Sequence, residues 1–95
     1  MYAAIRRYVD NTDLADQLAT RESDVRQVIS SIEGFQAYYL VRADESTVSI
    51  SVFDDAAGAE ESSRKAAAWM QENMPEVAAE APRISVGEVL IAERR

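Results

Sequence analysis

Hydrophobic and polar positions alternate from the first residues of the chain. Ala3, Ile5 and Val9 fall on one side of the segment Tyr2 to Val9, with Tyr2, Ala4, Arg6 and Tyr8 on the other. A period of two predicts a strand. Asn11, Thr12 and Asp13 then offer helix-capping chemistry, and the apolar spacing changes to threes, fours and sevens at Leu14, Leu18, Val25, Val28, Ile29 and Ile32. That spacing predicts one amphipathic helix, closed at Glu33-Gly34, where a left-handed glycine ends helices. Phe35 to Arg42, rich in aromatic and branched residues, predicts a second strand. A short polar turn at Ala43 to Ser46 leads to a third strand, Thr47 to Phe53, in which Val48, Ile50 and Val52 alternate with Ser49, Ser51 and Phe53.

Asp54 and Asp55 are placed to cap a second long helix, which the proline at 75 should end near Met74. Pro82 to Ala92 predicts a last strand, with Gly87 as a bulge that returns Val89 and Ile91 to the face of Ile84 and Val86. The order β-α-β-β-α-β is that of the ferredoxin-like α+β fold: a four-stranded antiparallel sheet with both helices on one face. Residues 1–95 form a single domain, without repeats, linkers or low-complexity tracts.

Two face assignments follow from treating the aliphatic positions as core. Ala3, Ile5, Val48, Ile50 and Val52 are expected to face the helices, and Arg7 shares their side. The other face then carries Tyr2, Tyr8, Phe53 and some of Phe35, Tyr38, Tyr39 and Leu40, together with Arg6, Ser49 and Ser51. So many aromatics on an open face predict a homodimer packed sheet against sheet, although a different protein partner would satisfy the same physics.

Composition narrows the chemistry. The chain is 47% hydrophobic and 28% charged, as expected of a soluble globular protein. A net charge of −7 and scattered basic residues, nine of the ten being Arg, argue against nucleic acid and against an anionic membrane surface. No apolar run approaches the ~20 residues that span a bilayer. Two arginines interrupt the N-terminal segment where a secretory leader needs an apolar core, so a cytoplasmic location is expected. The chain contains neither cysteine nor histidine, so no thiolate nucleophile, no metal and no cofactor ligated by those residues is expected.

At 100° per residue, the buried arc of the second long helix runs through Trp69, Ser62, Asn73, Ala66, Ala59 and Met70. Trp69, Ser62 and Asn73 adjoin at its edge, with Arg7 opposite on the sheet and Arg21 within the apolar stripe of the first helix. A buried arginine requires a partner or a water-lined cavity. The five residues Arg7, Arg21, Ser62, Trp69 and Asn73 are therefore a candidate cleft for a small aromatic ligand. A plainer reading stays open for each. Trp69 is also a natural core filler, the arginines can lie with their heads in water, and Asn73 can cap a segment beginning at Pro75.

In MYAAIRRY, GFQAYYLV, ISVFDDAAGAEES, AAAWM and the closing GEVLIA, the chain resembles the dimeric α+β barrel superfamily. Within it, the likeness is to the short antibiotic-biosynthesis-monooxygenase-like (ABM-like) proteins. That resemblance implies facing sheets in a homodimer and a cleft between sheet and helices in each subunit. It also implies a tryptophan on the second helix, a position that Trp69 resembles. Characterised members include cofactor-independent oxygenases of polyphenolic aromatics, in which Arg7, Ser62 and Asn73 would hold a phenolate beside Trp69. The haem-degrading branch uses an asparagine on the first strand and a histidine on the second helix. This chain has Arg7 near the former and no histidine. A non-catalytic dimer that binds a small ligand or another protein is the alternative.

Overall fold

The computed structural model describes all 95 residues. Strand β1 (Tyr2–Tyr8) leads into helices α1 (Asp13–Ala19) and α2 (Glu22–Ser30), then strands β2 (Phe35–Ala43) and β3 (Ser46–Phe53). Helix α3 (Ala56–Asn73), a short turn of helix α4 (Pro75–Ala78) and strand β4 (Arg83–Glu88) complete the chain. The expected single helix between Leu14 and Ile32 is thus two. The break has a local cause: Thr20 Oγ1 donates to the Gln17 carbonyl (2.7 Å), and the Arg21 N–H turns back to the Leu18 carbonyl (3.0 Å). Threonine here competes for the backbone acceptors that a continuing helix would use.

The strand order is β2-β3-β1-β4, all antiparallel, so β1 and β3 form the centre and the fold is ferredoxin-like. Ala43 pairs with Ser46 across a two-residue hairpin turn, with Asp44 at a left-handed φ of 43°. Asp55 caps α3 as expected, its carboxylate accepting from the Gly58 N–H at 2.9 Å. On the exposed side of that helix Arg64 pairs with Glu61 (3.0 Å), three residues back, and not with Glu60 at four. Gly87 is not a bulge. The pairing Ala3 with Gly87 is in register with Ile5 and Ser85, and the strand ends at Glu88.

The two faces of the sheet are the reverse of those expected from the aliphatic pattern. Ala4, Arg6 and Tyr8 of β1 are buried beneath the helices, with Thr47, Ser49, Ser51 and Phe53 of β3. The aliphatic set lies on the other face, where Ile5, Tyr39 and Val41 are exposed beside Val48, Ile50 and Val52. The aromatics Tyr8, Phe35, Tyr38 and Phe53, expected on the open face, pack under the helices instead. Both faces of β3 are able to be buried, and hydrophobicity alone ranks the valine face higher. The helices nonetheless take the serine face, because Arg6 sits there and needs those hydroxyls.

The core has two apolar clusters. Ala4, Ile29, Ile32, Phe53 and Ala59 form one, with Phe35 edge-on to Phe53 at a centroid distance of 5.9 Å. Tyr8, Leu14, Leu18 and Met70 form the other, flanked by Trp69, Val25 and Leu40. Helix α3 approaches the first cluster closely at Gly58, where a Cβ would come within 2.9 Å of Phe53 Cβ. Phe53 is fully buried and has nowhere to move. Gly58→Ala should therefore lower the midpoint of urea unfolding, because a clash costing about 1–3 kcal/mol exceeds the gain of about 1 kcal/mol in helix propensity. Gly87→Ala, with open space around it, should leave the unfolding free energy within about 0.5 kcal/mol of the parent.

Candidate functional site

Two consecutive arginines in a strand cannot share a face. One of Arg6 and Arg7 must point under the helices, and it is Arg6, which is 2% exposed. Its guanidinium is held by four serine hydroxyls: Nε donates to Ser49 (2.9 Å), Nη1 to Ser62 (3.1 Å) and Ser63 (3.2 Å), and Nη2 to Ser51 (3.1 Å). Two of these serines alternate on β3 and two are adjacent on α3, so the residue joins the central strands to the helix above them. Ser62 also donates to the Ala59 carbonyl (2.6 Å), which makes Ser51 the donor in the 3.0 Å Ser51–Ser62 bond. A directed chain results, from guanidinium through two hydroxyls to a helix carbonyl, each bond polarising the next.

All four partners are neutral. None of the chain's ion pairs includes Arg6, although the sequence has 17 acidic residues to draw on. The charge is therefore buried with its hydrogen bonds largely satisfied and no counter-charge. Burial pulls its pKa below the ordinary arginine value, with smaller opposing contributions from Tyr8 and Tyr38. The same desolvation holds the Tyr8 and Tyr38 phenols above the usual tyrosine value, against the opposing pull of the Arg6 charge. At neutral pH the site comprises one cation and two protonated phenols.

The sequence-derived cleft residues divide in two. Arg7 is exposed on the opposite face, paired with Val48 and Arg83, and takes no part in the cluster. The remaining four line α3 and its neighbour. The Arg21 guanidinium carbon stands 5.1 Å from the Trp69 ring centroid, and its Nη2 donates to Asn73 Oδ1 at 3.1 Å. Asn73 Nδ2 in turn donates to the Trp69 carbonyl (2.9 Å), so Asn73 does not cap α4. Arg21 thereby ties the α1–α2 break to the end of α3. Ser62 lies two turns before Trp69, at the Arg6 cluster. The residues missed in the sequence are Arg6, Ser49, Ser51, Tyr8 and Tyr38. The signal that could have found them was the match between an inward arginine and serines at alternate strand positions.

A small chamber of about 30 Å³ lies among Arg6, Tyr8, Tyr38, Ser49, Ala66 and Trp69. It is large enough for one water or one ligand oxygen. Leu18, Val25 and Tyr38 also line a wider groove of about 740 Å³, continued by Phe35 and Leu40 and bordered by Glu22 and Arg26. The groove and the chamber thus share one wall. No helix is long and apolar enough to cross a membrane.

No family model matches the chain, and no curated protein matches it. Solved structures do. A protein of unknown function from Nitrosomonas europaea, NE2512, is 20% identical with a TM-score of 0.73, over 99% of this chain and 93% of its own. Rv0793 from Mycobacterium tuberculosis is 13% identical with a TM-score of 0.68, over 98% of both chains. A dimeric ferredoxin-like protein from an uncultured marine organism is 8% identical with a TM-score of 0.65, over 99% of this chain and 97% of its own. At these identities the likeness is one of fold.

The serine cradle predicts a coupling. Ser62→Ala strips the buried cation of an acceptor and should cost about 1–3 kcal/mol in chemical denaturation, but clearly less when Arg6→Met has already removed the charge. The raised phenols predict alkaline behaviour. Because folding raises both tyrosines above 10.0, the native state holds protons that the unfolded chain releases. Stability should be fully present below about pH 10 and fall as pH rises through the folded values. Tyr8→Phe with Tyr38→Phe should flatten that loss in a Tm-against-pH series.

Proposed function

We propose that the chain is a homodimeric, monooxygenase-like protein that takes a small aromatic molecule into the groove of each subunit. The observation that supports this most is the wall shared by the apolar groove and the smaller, mainly apolar chamber that Arg6 lines. Leu18, Val25 and Tyr38 belong to both, so one molecule can lay an aromatic body along Phe35 and Leu40 and present a polar end to Trp69 and Arg6. Few convergent polar groups at the end of an apolar cleft are the usual anatomy of a small-molecule site. The ABM-like sequence resemblance, with Trp69 on the second long helix, supports the same reading.

The chemistry suited to such a site is cofactor-independent oxygenation of an activated CH2 group. The substrate supplies the electrons: its carbanion adds dioxygen, and the hydroperoxide loses water to leave a carbonyl. One oxygen atom enters the product and the other leaves as water. The protein would orient the substrate and stabilise its anion. Arg21, Trp69, Asn73 and Ser62 remain the candidate binding residues, with Arg6 in the position assigned to Arg7 from sequence.

Homodimerisation would cover the open face bearing Ile5, Tyr39, Val41, Ile50 and Val52, which a solvated monomer has little reason to keep apolar. The dimeric ferredoxin-like neighbour supports self-association through this fold.

One observation favours the non-catalytic alternative. The chamber holds no carboxylate and no histidine, and its phenols stay protonated at neutral pH, so it has no general base. Turnover would then require a substrate acidic enough to ionise unaided.

Trp69 is the only tryptophan and reports directly on the site. Titration with hydroxylated anthrones, quinones and aromatic acids should change its fluorescence saturably, and Val25→Arg, at a half-buried position of the shared wall, should abolish the change. Oxygen uptake with the anthrones would support the oxygenase, while saturable binding without uptake would leave the binding protein. Silence from every compound, in fluorescence and in thermal shift, would end both.

A further inference from the structure

We propose that the Arg6 chamber is an oxyanion subsite, which takes one singly charged oxygen of an aromatic ligand, a carboxylate or a phenolate. The inference rests on the groove being a ligand site, and adds what the ligand must carry. Three features argue for it.

The first is charge. A guanidinium that served only to join β1, β3 and α3 would be better balanced by a carboxylate, or replaced outright by an apolar side chain of similar volume. The residue lies between two apolar clusters that a leucine or methionine could have bridged. Instead the cation is kept, and every acceptor around it is neutral. Hydroxyls fix its orientation without cancelling its charge, so the full field remains for whatever enters the chamber.

The second is valence. Guanidinium has five N–H donors. Four are taken, one through Nε, two through Nη1 and one through Nη2. One Nη2 donor remains, and Arg6 lines the chamber. Tyr8 and Tyr38 line it too, both as protonated phenols, with the Tyr38 hydroxyl beside Ser49.

The third is size. About 30 Å³ admits one oxygen in place of one water, with the ring that bears it remaining in the groove. A phosphate group is too large for the chamber, and its second charge would have no second cation. The subsite therefore selects aromatic monoanions over both neutral analogues and phosphate esters. Charge-assisted bonds of this kind are also the strong ones.

Isothermal titration calorimetry on the full chain would test this with 2-naphthoate, its methyl ester, 2-naphthyl phosphate, and 2-naphthol above and below its ionisation. The acid should bind at least about tenfold more tightly than the ester, as one desolvated charge-assisted contact requires. The phosphate should gain nothing over the ester. Tightening of 2-naphthol on ionisation would identify phenolate as a source of the oxyanion; an unchanged affinity would leave carboxylate alone. Arg6→Met should bring the acid-to-ester ratio to about one while ester affinity changes less than about threefold. Arg6→Gln, which keeps hydrogen-bonding capacity without charge, should give the same result if the methionine variant does not fold. Arg64→Met, a charge-matched surface change, should leave the ratio intact. Equal binding of acid and ester by the parent, or a preference that survives both Arg6 variants, overturns the subsite and leaves the groove standing. Binding of no probe at all overturns the groove and the subsite together.

Discussion

One buried guanidinium organises this domain. Arg6 lies beneath the helices on a central strand, and its bonds to Ser49 and Ser51 on β3 and to Ser62 and Ser63 on α3 join two strands of the sheet to the helix layer above. Along β1 the inward residues run Ala4, Arg6, Tyr8, and along α3 they run Ala59, Ser62, Met70. Each element thus passes from one apolar cluster, through a polar belt, to the other cluster. A belt of this kind constrains register strongly. Sliding α3 by one residue, or β3 by one position, would withdraw several acceptors at once from a buried charge.

How far the sequence discloses this depends on the kind of signal. Element order was readable because strand and helix periods differ and because Asp55, Gly34 and Pro75 punctuate them. The identity of the inward face was not. In STVSISVF the two faces are a valine–isoleucine set and a hydroxyl set, and the usual preference for burying aliphatics selects the wrong one. The consecutive arginines show that one must go inward without showing which. The decision is made by long-range complementarity between Arg6 and serines 43 to 57 residues away. No local window contains that information. Four of the five expected cleft residues nevertheless lie at α3 or its junction with α2, because helical spacing around Trp69 is a local property. Arg7 failed because it inherited the inverted face.

The two halves of the site are held by different devices. The Arg6 belt is rigid, buried and supported by short side chains with little freedom to lose. The other end depends on a helix break at Thr20 that brings Arg21 over Trp69 and onto Asn73, with both arginine and Asp24 substantially exposed. Exposed contacts of that sort contribute little stability each. Their effect is positional: they hold Trp69, which lines the chamber from the helix side while the sheet supplies Arg6, Tyr8 and Ser49. The groove between them, lined by Leu18, Val25 and Tyr38, inherits one firm wall and one looser one.

The placement of a lone interior cation within an acidic protein sets short-range and long-range electrostatics against each other. A chain of net charge −7 repels an approaching anion at distances comparable to the Debye length, and dissolved salt relaxes that repulsion. The contact with Arg6 is made out of reach of those ions and is screened far less. Encounter with an anionic ligand would therefore quicken as ionic strength rises, whereas a basic surface patch would slow it. A chamber that took anions would be kinetically guarded by the protein's own surface: it would admit them reluctantly, and hold them by a charge that bulk electrolyte barely senses.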